Sequence, residues 1–172
     1  ELPPTHTGLI SIEATSLAPF CGQTPTKPPL QTGDLGYLDT AGYLYVLGRQ
    51  KTLILTGGEK VLPEEVEAAI LATGWVRDVA VVGVPDPDWG EVVVAVVVWE
   101  NTAAAENSLQ QSLKPLLSSY KIPKHWLQHH ALPRNAQGKF NRADLRQWVL
   151  QQMQAIVAAT GSVLALTDSV AE

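Results

Sequence analysis

The sequence predicts an α+β fold, in which a short antiparallel or mixed sheet is flanked by helices. Two runs rich in β-branched residues, at 76–84 and 91–99, are typical of strands, and the prolines and aspartates at 85–88 predict a rigid loop between them. Helical spacing of apolar residues marks 63–72 and the segment after Asn141. The predicted order is hairpin, strand, helix, two strands, helix, strand and helix, which indicates a small sandwich of helices packed on a sheet.

The first part of the chain is predicted to be rich in β-structure. Residues 8–20 have the pattern of one strand and its exit, and the proline-rich stretch 24–30 is expected to be extended. A hairpin is predicted over 36–49, because Asp39–Gly42 has the composition of a turn, with Asp early and Gly at its end. These strands precede the segment that carries most of the functional signal.

The central elements start with a brief strand at 53–55, which we expect to be buried because it reads Leu-Ile-Leu. Two adjacent glycines at 57–58 then free the backbone to approach another surface closely. Proline at position 63 begins a helix that Gly74 ends. Three glutamates favour this helix start through the helix dipole: Glu64, Glu65 and Glu67.

The last elements are a helix, a strand and a second helix. The helix is predicted near 106–118, where Pro115 should kink or shorten it, and a strand with its flanks is predicted over 122–132. Asn141 is expected to cap the final helix, with Asp144 three residues later. The apolar stripe of that helix contains Leu145, Trp148 and Val149.

The composition narrows the class of protein. The chain has 172 residues, 45% hydrophobic and 17% charged, with a net charge of −5 and no basic stripe, which argues against a nucleic-acid partner. Its longest apolar runs are shorter than the ~20 residues that a membrane span requires, so no membrane span is expected. Cys21 is the single cysteine and no signal peptide is visible, which together fit a cytoplasmic setting.

Three motifs carry the functional signal. They are TGD at 32–34, GRQKTLILTGGEKVLPEEVE at 48–67 and PRNAQGKFNR at 133–142. In this order and spacing, they resemble the adenylate-forming acyl-CoA ligase superfamily, which includes acyl- and aryl-CoA synthetases, luciferases and peptide-synthetase adenylation domains. The resemblance covers roughly residues 8–149, which is most of the chain.

Lys139 is the candidate catalytic residue. A lysine in a polar loop is usually a solvated surface residue. The resemblance implies instead that Lys139, in the pattern Pro133-x(4)-Gly138-Lys139, reaches the reacting carboxylate and the α-phosphate in the active site of another domain. A cation placed there stabilises the charge that builds on the phosphorus oxygens as the carboxylate attacks.

Asp34 and Arg49 are the candidate nucleotide-binding residues. An aspartate before a turn often only caps the backbone, and an arginine such as Arg49 often forms only a surface salt bridge. The resemblance implies that Asp34 accepts hydrogen bonds from the ribose hydroxyls of ATP and that Arg49 contacts the ribose or phosphate. A carboxylate suits two neighbouring hydroxyls because it has only acceptors. The resemblance also places Lys51 at a hinge between two domains.

Gly57, Gly58 and Glu59 are the candidate CoA-facing loop. A Gly-Gly pair is usually only a turn. The resemblance implies that this loop lines the tunnel for the pantetheine arm of CoA after the small domain rotates, where a missing Cβ permits close approach. One small domain would then present Lys139 for adenylation and the glycine loop for thioester formation.

No metal site is expected in this chain. His125 and His129 have a spacing that would bring two ligands together on a helix, but the local pattern predicts a strand, in which that spacing does not hold. The five tryptophans are interpreted as core or interface residues: Trp75, Trp89, Trp99, Trp126 and Trp148.

The resemblance also predicts the domain organisation. Residues 1–47 would end a large, β-rich N-terminal domain, 48–52 would be the hinge, 53–150 the C-terminal lid, and 151–172 a tail that we expect to be frayed. The phosphate loop and the aromatic-Gly-x-Thr-Glu segment of complete enzymes are absent from the sequence. We therefore expect a fragment whose main partner is the large N-terminal domain of the same enzyme, and which is inactive alone.

The implied reaction joins a carboxylate to ATP, giving acyl-AMP and pyrophosphate, and then uses CoA to give the thioester and AMP. Mg²⁺ would neutralise the triphosphate. The run at 76–98 looks most like 2-succinylbenzoate–CoA ligases of menaquinone or phylloquinone synthesis, with fatty-acyl and aryl-CoA ligases nearly as similar. An adenylation domain that serves a carrier protein and a binding module without chemistry are the two alternatives from other classes.

Overall fold

The computed structural model describes residues 5–13, 29–100, 106–134 and 141–160. The chain divides into two compact units, Glu1–Thr52 and Leu53–Glu172. Each unit is built around its own sheet, and each is described by itself.

The first unit is a three-stranded antiparallel sheet in the order β1-β2-β3. The strands are β1 (Gly8–Ile12), β2 (Leu30–Leu38) and β3 (Leu44–Arg49). The predicted hairpin is confirmed, because Asp39 Oδ1 accepts hydrogen bonds of 2.9 Å from the backbone N–H groups of Ala41 and Tyr43. An aspartate that bonds its own turn in this way fixes where β2 ends and β3 begins.

The second unit contains a five-stranded mixed sheet. Strands β4 (Ile54–Thr56), β5 (Glu59–Val61), β6 (Val76–Asp86) and β7 (Gly90–Trp99) follow the order β5-β4-β7-β6, and β8 (His125–Gln128) pairs with β7. The β6–β7 pair is antiparallel and the β7–β8 pair is parallel. The predicted α+β class, with a short mixed sheet and helices, is confirmed.

Helices cover both faces of this sheet. Helices α1 (Pro63–Ala72) and α2 (Glu106–Leu113) contribute Val66, Ile70 and Leu109 to one buried cluster. Helix α3 (Arg142–Thr160) contributes Leu145 and Val149 to a second cluster. Burying one such side chain completely stabilises the fold by about 1.5–3 kcal/mol. No helix within the described ranges is both long and apolar enough to cross a bilayer.

The alternation of side chains along β6 explains the two clusters. Val79 and Val81 face the first cluster, whereas Ala80, Val82 and Val84 face the second. Successive side chains of a strand point to opposite faces, so a strand covered on both sides reads as a continuous apolar run. Because both faces of β6 and β7 are buried, these strands appear in the sequence as the continuous β-branched runs 76–84 and 91–99.

Four predicted details differ from the structure. Strand β4 exposes 53% of Leu55, because only alternate residues of this short strand face the core. Strand β6 continues through Pro85 and Asp86, where we expected a loop. Strand β8 is limited to His125–Gln128, since a 3₁₀ helix at Ser119–Lys121 precedes it. Helix α3 runs to Thr160, past the expected boundary at 150, because Met153 and Ile156 pack on the second cluster.

The helix ends agree with the sequence. Pro63 is the first residue of α1 and α2 ends at Leu113, before Pro115. Asn141 caps α3: its Oδ1 accepts from the N–H of Ala143 at 3.0 Å, and its Nδ2 donates to Asp144 Oδ2 at 2.9 Å. The cap fixes the first turn of α3, which presents Arg142 to the rest of the unit.

Candidate functional site

Asp34 and Arg49 lie opposite each other on β2 and β3 of the first unit. Arg49 Nε donates a 3.0 Å hydrogen bond to Asp34 Oδ1, and the side chain of Arg49 is largely exposed. Thr32 Oγ1 accepts from the backbone N–H of Asp34 and donates to Ile10 O, both at 3.0 Å. The structure therefore brings together the two predicted nucleotide-binding residues, and the backbone that carries the carboxylate is held by a neighbouring strand.

Lys51 is in a 3₁₀ helix formed by Gln50–Thr52, at the end of the first unit, and it is exposed. Thr52 Oγ1 donates to Arg49 O at 2.9 Å, which ties this turn to the end of β3. The hinge role of Lys51 stays a prediction.

The glycine turn joins β4 to β5. Gly57 and Gly58 have φ values of +56° and +84°, in the left-handed region that favours glycine. The N–H of Gly57 donates to Trp89 O at 2.9 Å, and a Cβ on Gly57 would lie 2.9 Å from Trp89 Cε3. Glu59 is exposed and begins β5. The turn predicted as the CoA-facing loop is thus an exposed backbone feature that rests on the Trp89 ring.

Trp89 and Lys124 form a contact that the sequence interpretation missed. Trp89 is 45% exposed, so of the two expected placements, core or interface, the core is excluded. Lys124 Nζ lies 3.5 Å from the centroid of a Trp89 ring. This distance is typical of a cation–π contact. The sequence signal that could have indicated an exposed ring is the position of Trp89 between Asp88 and Gly90, two residues that favour turns. In the structure, Gly90 has a φ of +74°.

His125 is next to Lys124 and begins β8. Burial lowers the pKa of His125 below its ordinary value of 6.5, Asp86 acts in the opposite direction, and Lys124 lowers the pKa further. The imidazole is therefore biased towards its neutral form.

Lys139 and Gly138 lie outside the described residues, so the catalytic assignment of Lys139 stays a prediction. The described residues on either side of this segment form ion pairs within the second unit. Arg134 bonds both carboxylate oxygens of Asp78, with Nη2–Oδ1 at 2.6 Å and Nε–Oδ2 at 3.1 Å, and the hydrogen bond to Asp78 raises the pKa of Arg134. On the other side, Arg142 bonds Glu64 and Glu67 of α1.

Glu64 and Glu67 therefore have a further structural role beyond the predicted helix start. Arg142 Nη1 donates to Glu67 Oε1 at 2.7 Å, and Arg142 Nη2 donates to Glu64 Oε1 at 2.9 Å. Sequence reasoning missed this contact, because the three residues come from two helices.

The described residues contain no group of three or more His, Cys, Asp and Glu side chains that could hold a metal ion. His125 and His129 lie at the start of β8 and just after its end, as the strand interpretation of this segment required. Mg²⁺ is usually held by one or two carboxylates together with substrate phosphates, so a site built from protein ligands alone is not required for it.

The mixed sheet with helices on both faces matches the small C-terminal lid domain of adenylate-forming enzymes. Residues 65–139 match the model of the AMP-binding enzyme C-terminal domain. This part of the chain is a domain of that family.

Among its relatives, the 2-succinylbenzoate–CoA ligase of Listeria monocytogenes is 44% identical over 117 residues, which are 68% of this chain and 25% of the relative. The long-chain-fatty-acid–CoA ligase FadD13 of Mycobacterium tuberculosis is 40% identical over 117 residues, which are 68% of this chain and 23% of the relative. The chain spans about a quarter of the length of the curated relatives it matches.

Among solved structures, the o-succinylbenzoate CoA synthetase of Bacillus subtilis in complex with the acyl-adenylate intermediate OSB-AMP has a TM-score of 0.71 and 35% identity. The match covers 84% of this chain and 31% of that chain.

Proposed function

We propose that this chain is part of an ATP-dependent acyl-CoA ligase, which activates a carboxylic acid as acyl-AMP and then transfers the acyl group to CoA. The observation that carries the proposal is the match of residues 65–139 to the AMP-binding enzyme C-terminal domain, joined by relatives that are themselves acyl-CoA ligases. A reaction that consumes ATP and CoA fits the cytoplasm.

In this reaction, Asp34 and Arg49 bind the ribose and phosphate of ATP. The ion pair between them supports this role, because it holds the carboxylate at a partly exposed edge where further hydroxyl groups can donate to it. Lys51 is the hinge, and Lys139 is the cation that stabilises the adenylation transition state. Magnesium neutralises the triphosphate in such reactions and is held largely by the phosphates themselves, so we assign the ion no residue here.

The glycine turn serves the second half-reaction. The exposed Gly57-Gly58 backbone, with Glu59 beside it, faces the pantetheine arm of CoA. Trp89 and Lys124 present an aromatic face and a cation next to this turn, and such a pair suits a ligand with both flat and anionic groups.

The proposed acid is 2-succinylbenzoate, so that the ligase would serve menaquinone or phylloquinone synthesis. The Listeria relative and the Bacillus structure support this choice, whereas the FadD13 relative supports a fatty acid as the alternative. Measured kcat/KM values for 2-succinylbenzoate, medium- and long-chain fatty acids and an aryl acid decide between them. A preference for a fatty or aryl acid would overturn the substrate assignment, and transfer to a carrier protein in place of CoA would favour an adenylation domain.

The test of the reaction uses the intact enzyme and measures each half-reaction. Lys139→Ala should reduce ATP–pyrophosphate exchange by at least a hundredfold, because a preorganised charge that acts on the transition state contributes on the order of 10²–10³ in rate. Thioester formation from supplied acyl-AMP should remain. Lys114→Ala removes an exposed lysine and is the matched control. Equal loss of both half-reactions would contradict the role of Lys139. If the wild-type enzyme showed no ATP–pyrophosphate exchange with any of the acids, a binding module without chemistry would describe the protein better.

A further inference from the structure

The carboxylate of Glu91 joins three elements of the second unit. Glu91 Oε2 accepts a 3.0 Å hydrogen bond from the backbone N–H of Leu55 on β4, and Glu91 Oε1 accepts from Arg146 Nη2 of α3 at 3.2 Å. The same arginine donates from Nε to Gly83 O of β6 at 2.7 Å. One side chain on β7 therefore fixes both the strand before the glycine turn and the helix on the second face of the sheet.

The hydrogen bond from Leu55 to Glu91 replaces a regular backbone hydrogen bond between β4 and β7. Within the described residues, β4 meets β7 in register at one position, where Thr56 lies opposite Gly90. Leu55 precedes that position, and a side-chain oxygen of Glu91 takes the place of a backbone acceptor for its N–H. The carboxylate therefore extends the attachment of β4 to β7 by one residue, towards the start of β4.

Gly83 makes room for this arrangement. A Cβ at position 83 would lie 3.1 Å from Glu91 Oε2 and 2.8 Å from Ile54 Cγ2. The missing side chain therefore lets the carboxylate and Ile54 occupy the space beside β6. A glycine in the middle of this otherwise β-branched strand is thus explained by the close approach of Ile54 and Glu91.

The link is close to the glycine turn. On β4, Leu55 is bonded to Glu91, and the N–H of Gly57 is bonded to Trp89 O at 2.9 Å. These two bonds hold the strand that enters the turn against the start of β7. If the first bond is lost, β4 keeps its pairing with β5, the single Thr56–Gly90 pair with β7 and the bond at the turn itself.

We infer that Glu91 and Arg146 are positioning residues for the Gly57-Gly58 turn, and that they act on thioester formation and not on adenylation. The inference rests on the proposed function, in which this turn faces CoA. Arg146 holds the carboxylate by a charge-assisted hydrogen bond, and the carboxylate holds β4 in the position that gives the turn its shape. Neither residue needs to touch CoA or the adenylate.

The experiment compares Arg146→Ala and Glu91→Ala in the intact enzyme with Gln147→Ala, which removes an exposed side chain of the same helix. We expect the thioester half-reaction, measured from supplied acyl-AMP and CoA, to fall about tenfold in kcat/KM for CoA, since a lost charged hydrogen bond has about this effect. ATP–pyrophosphate exchange should change less than twofold. Glu91→Gln keeps an oxygen for the Leu55 N–H and should recover most of the loss.

Hydrogen–deuterium exchange supplies a second measurement. Exchange should rise in the β4–β5 segment of both alanine variants and stay unchanged in α1. Equal losses in the two half-reactions, or faster exchange throughout the second unit, would show general destabilisation and overturn the inference.

Gly58→Ala separates this inference from the proposed function. If Gly58→Ala impairs thioester formation while Arg146→Ala and Glu91→Ala do not, the positioning role is wrong and the role of the turn stands. If Gly58→Ala also leaves thioester formation unchanged, the assignment of the turn to CoA fails.

Discussion

Arg142 Nη1 lies 2.7 Å from Glu67 Oε1 and 2.8 Å from Val81 O, so the first residue of α3 is bonded to α1 and to β6. Glu67 Oε1 also accepts from the backbone N–H of Val81 at 2.8 Å. The side chains of Arg142 and Glu67 are only 22% and 13% exposed. The pair therefore connects helices on opposite faces of the sheet past the edge of β6.

Replacement of Arg142 by methionine should lower the free energy of unfolding by about 2–4 kcal/mol, because it leaves Glu67 half-buried without its cation. Urea denaturation followed by tryptophan fluorescence measures the change. Arg134→Met is the control, since the Arg134–Asp78 pair is more exposed and its loss should lower the free energy by about 1 kcal/mol or less. Equal losses in the two variants would contradict the assignment.

The two glycines of the turn should respond differently to alanine. Gly58→Ala adds a Cβ into open space at φ +84°, and should cost about 1–2 kcal/mol of unfolding free energy from the backbone alone. Gly57→Ala also places its Cβ at a positive φ, of +56°, and adds a contact of 2.9 Å with Trp89 Cε3, so it should cost more. Thermal unfolding of both variants gives the order. A Gly57 variant as stable as the Gly58 variant would mean that the Trp89 ring moves away freely.

His125 should make stability depend on pH below neutrality. Burial lowers its pKa in the folded chain, whereas the unfolded chain takes up the proton at an ordinary value of about 6.5. The unfolded state thus binds more protons between these two values. The contribution of neutral His125 is complete above about pH 6.5 and is lost as the pH falls through the folded pKa.

His125→Gln should therefore reduce the loss of unfolding free energy between about pH 7.5 and pH 5.5, which denaturation at a series of pH values measures. His130→Gln, which replaces an exposed histidine of the same segment, serves as the control for the substitution itself. An unchanged pH profile in the His125 variant would show that burial does not shift its protonation.

Asp34→Ala should separate stability from nucleotide binding. The Asp34–Arg49 pair lies at a partly exposed edge, so its loss should change the free energy of unfolding by less than about 1 kcal/mol. In the intact enzyme the KM for ATP should rise about tenfold, because the proposed hydrogen bonds between this carboxylate and the ribose hydroxyls are lost. Glu100→Gln alters an exposed acid and is the control. A normal KM for ATP in the Asp34 variant would remove Asp34 from the nucleotide site.

Much of the local structure was predictable because short-range signals specify it. The aspartate and glycine of the β2–β3 turn, Pro63 at the start of α1, and Asn141 before α3 each act on backbone groups within a few residues. The β-branched runs specified β6 and β7 in the same way. Where these signals were weak, the prediction failed, as for the length of β8 and the burial of Leu55.

The sequence by itself determined the class of fold, the positions of most elements and the family resemblance, since each depends on neighbouring residues or on motifs in a fixed order. Only the tertiary structure decided which side chains meet. Arg142 and Glu67 are 75 residues apart, and Glu91 and Leu55 are 36 residues apart. Such contacts depend on strand register and on the seating of helices, and these follow from the packing of the whole unit and not from any local pattern.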